Sequence, residues 1–291
     1  MTGETWTTIR LLNWTKEYFE KKGIAESRLE AELLLAHVLG WKRIELYSRF
    51  EETVGPERLA AFHEAVKRRA KREPSQYIMG TTEFCGLAFK SDRRALIPRP
   101  ESEILIDVTL ALTGVSDAPF IVDIGTGSGI LAITAAKRLA KARVVACDIS
   151  SEAIELAREN AALLGVSERV EFRCGDFTET LSEFAGRADI ALANPPYVSE
   201  GELAKLEPEL REHEPRVALV AGPEGTEVQA RLVEFAPTLL ATGGHLVMEM
   251  GAGQAGRIRE MVAKRLALEL VRLEKDFASI ERVAVIRKKN D

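Results

Sequence analysis

The chain of 291 residues reads as an α/β protein, a parallel sheet with helices on both faces, preceded by a small helical bundle. Two observations carry this reading. From about Phe120 onward, short apolar runs alternate with stretches of helical periodicity, while from Thr5 to Glu73 the periodicity is helical with no convincing strand. The expected division is a helical domain over 1–73, a hairpin linker over 74–99 and an α/β domain over 100–291.

In the first segment, Ser27-Arg-Leu-Glu30 has the form of a capping box, opening a helix with Leu29, Leu33 and Ala36 on one face and Gly40 as its left-handed stop. Pro56 suits the first turn of another helix carrying Leu59, Phe62 and Val66. Pro74 closes that segment, and Gln76 to Lys90, with aromatic and aliphatic residues around Gly80 and Gly86, has the pattern of a hairpin. A helix is expected near Glu101 to Thr113. Strands are expected at Phe120–Ile124, Arg143–Asp148, Val170–Arg173 and Asp189–Ala193, with helices at Ile130–Ala140 and Ser151–Leu164 between them. Beyond these come a helix near Glu227–Leu240, a strand at His245–Met250, a helix near Gly253–Arg265, and strands near Leu268–Leu273 and Arg282–Ile286.

Composition narrows the function. A formal net charge of −5 speaks against wide electrostatic contact with duplex nucleic acid, and no stable nucleic-acid binding is expected. The basic run Lys67 to Arg72 ends a helix, where positive charge complements the macrodipole, and residues 1–73 hold 14 basic and 12 acidic side chains. A solvated face is therefore favoured there over an RNA contact. Cys85, Cys147 and Cys174 form no CxxC pair, and the four histidines lack ligand-like spacing, so no metal is expected. Without a basic n-region before an apolar core, or an apolar run of roughly 18 residues, a cytoplasmic protein with no membrane contact is expected.

Val122-Asp-Ile-Gly-Thr-Gly-Ser-Gly129 follows an apolar strand and opens a helix, the place where glycines let a ligand approach the sheet's carboxyl edge. Gly125, Gly127 and Gly129 give GxGxG, whereas the dinucleotide fingerprint wants a glycine at 130, which is Ile130. Thr126 and Ser128 complete the loop. A nearby carboxylate, Asp123, suits a cationic sulfonium such as that of S-adenosylmethionine better than a pyrophosphate. Asp148 ends the second strand, 23 residues after Gly125, where it can accept both ribose hydroxyls. Asp176 and Phe177 end the third strand, suited to an adenine amino group and ring. Three anchors at successive strand ends are far less easily explained as turn geometry than one glycine cluster.

Ala193-Asn-Pro-Pro-Tyr197 follows the fourth strand. An amide or exocyclic amine has a delocalised lone pair and attacks a methyl group only when held in a favourable geometry. The Asn194 side-chain oxygen and the Pro195 carbonyl can each accept one N–H of such a group, directing its lone pair at the methyl. Pro195 and Pro196 fix φ and remove their own donors, and Tyr197 can lie against a planar target. Positioning of this kind supplies roughly 7–11 kcal/mol in the best intramolecular models, so no strong base is required. Together these signals describe an amino-methyltransferase on a Rossmann-like class I methyltransferase sheet. Asn-Pro-Pro-Tyr leaves adenine, guanine and glutamine open as targets.

The chain resembles the release factor glutamine methyltransferase family along nearly its whole length. The resemblance rests on Glu32–Gly40, Pro74–Gly80, Glu83–Phe89, Leu96–Glu103, the GTGSG loop, Asn194–Tyr197, Glu214–Leu219 and Met248–Gln254. It implies methyl transfer from S-adenosylmethionine to the glutamine of the Gly-Gly-Gln loop in class 1 peptide chain release factors, with the helical domain helping to hold the factor. Carried over, Gly125 to Gly129, Asp148, Phe177 and Asn194 contact the cofactor, and Asn194 to Tyr197 receive the glutamine. Ser102 stands where the family usually has Thr, and Val220–Gly225 departs from the usual loop. Arg99 is read either as a guide for a substrate carbonyl or as a partner of Glu101 or Glu103, and Glu249 as shaping the site or capping a strand end. The competing classes are a nucleic-acid methyltransferase and a non-catalytic docking module. The intact glycines, Asp148 and Asn194–Tyr197 speak against the latter.

Overall fold

A computed structural model describes residues 5–113 and 118–290. They form two compact units, one comprising the residues up to Gly80 together with Pro208–His213, the other 81–207 and 214 onward. In chain order the elements are α1 (Thr8–Lys21), α2 (Ser27–Leu39), α3 (Arg43–Ser48), α4 (Pro56–Ala70), α5 (Ser75–Met79), β1 (Thr81–Phe84), β2 (Leu87–Lys90) and α6 (Glu103–Leu112). There follow β3 (Phe120–Ile124), α7 (Ile130–Arg138), β4 (Arg143–Asp148), α8 (Ser151–Leu163), β5 (Val170–Cys174), α9 (Phe177–Thr180), β6 (Ala188–Ala193), β7 (Val198–Ser199), α10 (Glu200–Leu203) and α11 (Pro208–His213). The chain ends with α12 (Arg216–Leu219), β8 (Val220–Gly222), α13 (Glu227–Leu239), β9 (Leu240–Glu249), α14 (Ala255–Ala263), β10 (Leu268–Lys275) and β11 (Glu281–Lys288).

The helical unit packs around Leu12, Phe19, Leu34, Leu35, Leu46 and Phe62, spaced so that each helix turns one apolar stripe inward. Gly40 ends α2 at φ +70°, and Pro56 is the first residue of α4, as their sequence positions suggest. The capping box does not form. Glu26 occupies the N-cap at φ 50°, Ser27 donates to the Ile24 carbonyl, and Glu30 accepts from Arg69 instead. The buried face of α2 is accordingly Ala31, Leu34, Leu35 and Leu39, rather than one centred on Leu29 and Leu33. The expected start of the hairpin is the short helix α5, stopped by Gly80 at φ +72°; only β1 and β2 pair as strands. Downstream α11 belongs to this unit because Glu209 meets the buried Arg69, as well as Arg72.

The second unit is a seven-stranded sheet in the order β10-β11-β9-β6-β3-β4-β5. The five strands from β9 to β5 are parallel, whereas β11 runs antiparallel to both β9 and β10. Strands β3, β4 and β6 are nearly continuous apolar runs because helices cover both faces, giving one core around Val122, Val145 and Met248 and another around Ile121, Val144 and Leu192. The order reverses between β3 and β6: β4 and β5 extend the sheet one way, β6 and β9 the other. Ile124 lies opposite Ala193 there, so the loops after β3 and β6 emerge side by side at the strands' carboxyl ends. Gly129, at φ +84°, permits the close approach behind this edge, since a Cβ would sit 2.8 Å from Ile133 Cδ1 and 3.0 Å from Ala157 Cβ. No helix among the described residues is long and apolar enough to cross a membrane.

Candidate active site

A cleft of about 270 Å³ opens at this switch point, within the second unit. Its wall includes Gly125, Thr126, Gly127, Ser128, Asp148, Asp176, Phe177, Asn194, Pro195 and Pro196, so segments following four successive parallel strands converge on it. Gly125 and Thr126 donate their backbone N–H groups to the Cys147 carbonyl, pinning the loop to the end of β4. A Cβ on Gly125 would meet nothing within 4 Å, which leaves its backbone open to a ligand.

Asp148 accepts from the Gly127 N–H at 2.8 Å and the Ser150 N–H at 2.9 Å, fixing its carboxylate at the rim. Burial raises its pKa, opposed by these backbone hydrogen bonds. Asp176 caps α9 through Thr178 and accepts from Arg231 at 2.6 Å; that arginine holds its carboxyl down at about 2. The same guanidinium lies 4.8 Å from the Phe177 ring centroid, backing the aromatic wall.

Asp123 lies beneath the loop, away from the cleft surface. It is fully buried, with one oxygen accepting from Thr126 Oγ1 and the Ala132 N–H while Oδ1 has no hydrogen-bond partner. Burial pushes its carboxyl up to about 7 against those hydrogen bonds. Its geometry organises the loop and the start of α7, rather than presenting a carboxylate to the cleft as the sequence suggested. Gly129 is likewise behind the wall.

Asn194 donates from Nδ2 to Ser102 Oγ at 2.9 Å, and Ser102 donates to Glu249 Oε2 at 2.6 Å. Among the described residues Asn194 Oδ1 has no protein hydrogen bond, and the side chain reaches the cleft wall. Tyr197 is set back from that wall. Its ring packs where a Cβ on Gly251 would come within 3.2 Å, and burial pushes its hydroxyl up to about 12, with Glu249 adding to the shift. Arg99 pairs with neither Glu101 nor Glu103. It binds Glu214, whose second oxygen accepts from the Ile97 N–H at 3.0 Å, while Glu103 accepts from the Cys85 N–H.

Sequence reasoning assigned no part here to Gln254. Its Nε2 donates to the Tyr197 and Gly225 carbonyls, both at 2.9 Å, while its Oε1 accepts from the Gly251 N–H at 2.8 Å. The divergent segment Val220–Gly225 runs through β8, which pairs with β7 directly after Tyr197. Gly225 belongs to the same clamp: a Cβ there would lie 2.9 Å from the Tyr197 carbonyl. Cys147 is buried and Cys174 exposed, both as free thiols, and no cluster of metal-ligating side chains occurs among the described residues.

Comparison with known proteins agrees with this architecture. The hMettl16 catalytic domain, solved with a MAT2A 3′UTR hairpin, is 15% identical with a TM-score of 0.57 over 83% of this chain and 84% of that one. P. horikoshii TYW2 in complex with MeSAdo is 15% identical with a TM-score of 0.50 over 72% and 71%. These likenesses bear on the fold. Residues 117–275 also match a family model described as a methyltransferase domain, and residues 10–80 one described as the PrmC N-terminal domain. Fold and sequence together define a class I methyltransferase.

The curated relatives narrow that class. The release factor glutamine methyltransferase of Rhodopirellula baltica is 39% identical over 97% of both chains, and those so named from Chlorobaculum tepidum and Geobacter sulfurreducens are 41% and 42% identical over 96% and 90% of both chains. The chain belongs to the release factor glutamine methyltransferase family, as the motifs in its sequence had suggested.

Proposed function

We propose that this chain transfers the methyl group of S-adenosylmethionine to the side-chain amide nitrogen of glutamine in the Gly-Gly-Gln loop of class 1 release factors. The observation that carries the chemistry is Asn194: its Nδ2 is engaged by Ser102, and its Oδ1 is free to accept. The names of relatives spanning nearly the whole chain support glutamine over a nucleic-acid base as the target.

The residues at the cleft suit the donor. The open backbone at Gly125 admits a ligand edge, Asp148 offers carboxylate lone pairs to ribose hydroxyls, and Phe177 offers a ring beside Asp176 for adenine. The bound donor supplies a methyl group made electrophilic by its sulfonium. Asn194 Oδ1 and the Pro195 carbonyl accept the two N–H groups of the glutamine amide, turning the nitrogen lone pair toward that methyl. Held in this way, the nitrogen would take the methyl that the donor supplies when bound, leaving the donor's sulfur as a thioether, and would give up one proton to water. Tyr197 supports the turn from behind, and Arg99 fixes the Ile97 segment through Glu214. The reaction belongs in the cytoplasm, where release factors work.

The test uses labelled donor and an unmethylated release factor. Incorporation that disappears with Gln→Ala in the factor's loop, and with Asn194→Ala here, is the expected result. Labelling of DNA or ribosomal RNA in place of the factor would overturn the substrate reading.

A further inference from the structure

We infer that Ser102 and Glu249 are positioning residues that set which way the Asn194 amide faces. The inference rests on the reading of Asn194 as the acceptor for the target N–H. An asparagine amide has two nearly isosteric ends of opposite character, and only one accepts. Reversed, it would offer a donor to the incoming NH₂ and lose the interaction on which positioning depends.

The structure supplies a directional chain. Glu249, at the end of β9, is 2% exposed, and Ser102, in the 3-10 turn Pro100–Ser102 before α6, is fully buried. A carboxylate only accepts, so the single hydroxyl hydrogen of Ser102 goes to Glu249 at 2.6 Å. Ser102 Oγ then has only lone pairs to offer, and the group facing it at 2.9 Å must be the Asn194 NH₂. Oδ1 is left pointing away from Ser102. Reversal would set two acceptor oxygens against each other beside a buried carboxylate, an arrangement no water at a fully buried hydroxyl can relieve.

A purely structural purpose explains this chain poorly. A carboxylate is costly to bury even with the Ser102 hydroxyl donating to it, and an apolar residue would fill the end of β9 at less expense. Directionality is what the carboxylate adds. The chain links Asn194 to Ser102 across 92 positions in sequence and Ser102 to Glu249 across 147.

The experiment compares full-length wild type with Ser102→Ala, Ser102→Thr, Glu249→Gln and Asn194→Ala, measuring kcat, KM for the release factor, donor affinity by calorimetry, and melting temperature. Ser102→Ala is expected to lower kcat about tenfold, the scale of one lost orienting hydrogen bond. KM and donor affinity stay within about twofold, because the amide's orientation matters most at the reacting nitrogen. Ser102→Thr, which restores the hydroxyl, recovers transfer. Glu249→Gln keeps shape but can donate as well as accept, and lowers kcat several-fold; should Ser102→Ala not fold, this isosteric variant decides. Wild-type kcat in the folded variants, or a loss confined to KM, while Asn194→Ala is inactive, overturns the positioning chain alone. Full activity of Asn194→Ala would instead remove the reading on which it rests.

Discussion

Gln254→Ala removes a side-chain amide that makes four hydrogen bonds, to the Tyr197 and Gly225 carbonyls, the Gly251 N–H and the Gln229 side chain. Each is worth about 1 kcal/mol net, and the side chain is only half-buried, so water re-satisfies part of what is exposed. The expected loss is about 2–3 kcal/mol on unfolding by denaturant, with little change in the slope. Much of it falls on one place, because the amide joins the end of the Asn194–Tyr197 turn to the loop at Gly225. Loosening that turn by a fraction of an ångström should lower kcat by about ten- to a hundredfold while donor affinity, which the proposed function assigns to the β3 and β4 ends, changes little. Denaturation and steady-state methyl transfer are measured on the same preparation. A variant within about 0.5 kcal/mol of wild type and equally active would refute the assignment of the turn's rigidity to Gln254.

Three further outcomes follow from the geometry. Gly129→Ala must keep φ near +84° while driving its Cβ into Ile133 and Ala157; thermal unfolding should register a loss of about 2–4 kcal/mol, and a loss under about 1 would mean α7 and α8 part easily. Arg69→Ala leaves the carboxylates of Glu30 and Glu209 facing a vacated site in the helical unit, and a loss of about 3 kcal/mol in chemical denaturation is expected, whereas a neutral result would show that water replaces the guanidinium. Burial pushes Glu249 up to about 7, with Glu101 raising it and Ser102, Arg282 and Tyr197 opposing. Below that pH the protonated acid can donate to Ser102 and free the chain's direction, so kcat should fall on acidification, and Glu249→Gln should flatten that limb. The same raised pKa makes the folded state retain a proton that the unfolded chain releases above about 4.5, so this group's contribution to stability is present at low pH and lost as pH rises toward 7.

The parallel strands were legible because burial on both faces leaves mostly Val, Ile, Leu and Ala in β3, β4 and β6. Their carboxyl-end motifs were legible for the same reason: a glycine loop, an aspartate and Asn-Pro-Pro-Tyr each interrupt an apolar run, and the structure brings the loop, Asp148 and Asn194 to Pro196 to one cleft. Features set by distant partners were not. The Ser27–Glu30 pattern has the capping-box form, but a partner 39 residues away in sequence, Arg69, takes the glutamate. Helix α11 carries no local sign that Glu209 meets Arg69 across 140 residues. Asp123 looked like a ligand to the donor because sequence spacing gives proximity to the loop but not which side of it a carboxylate faces. Ser102, Glu249 and Gln254 lie in segments that carry the family resemblance, yet the hydrogen bonds of Ser102 and Gln254 to the Asn194–Tyr197 turn, and of Ser102 to Glu249, depend on strand order.

The most direct test of the account is mass spectrometry of an unmethylated class 1 release factor incubated with this protein and S-adenosylmethionine, with peptide fragmentation to locate any added methyl group. A single methyl on the glutamine of the Gly-Gly-Gln loop, absent when Asn194→Ala replaces the wild type, is the predicted result. An unmodified glutamine in a reaction where the wild-type protein demonstrably binds the donor, or a methyl group on another residue, would contradict it.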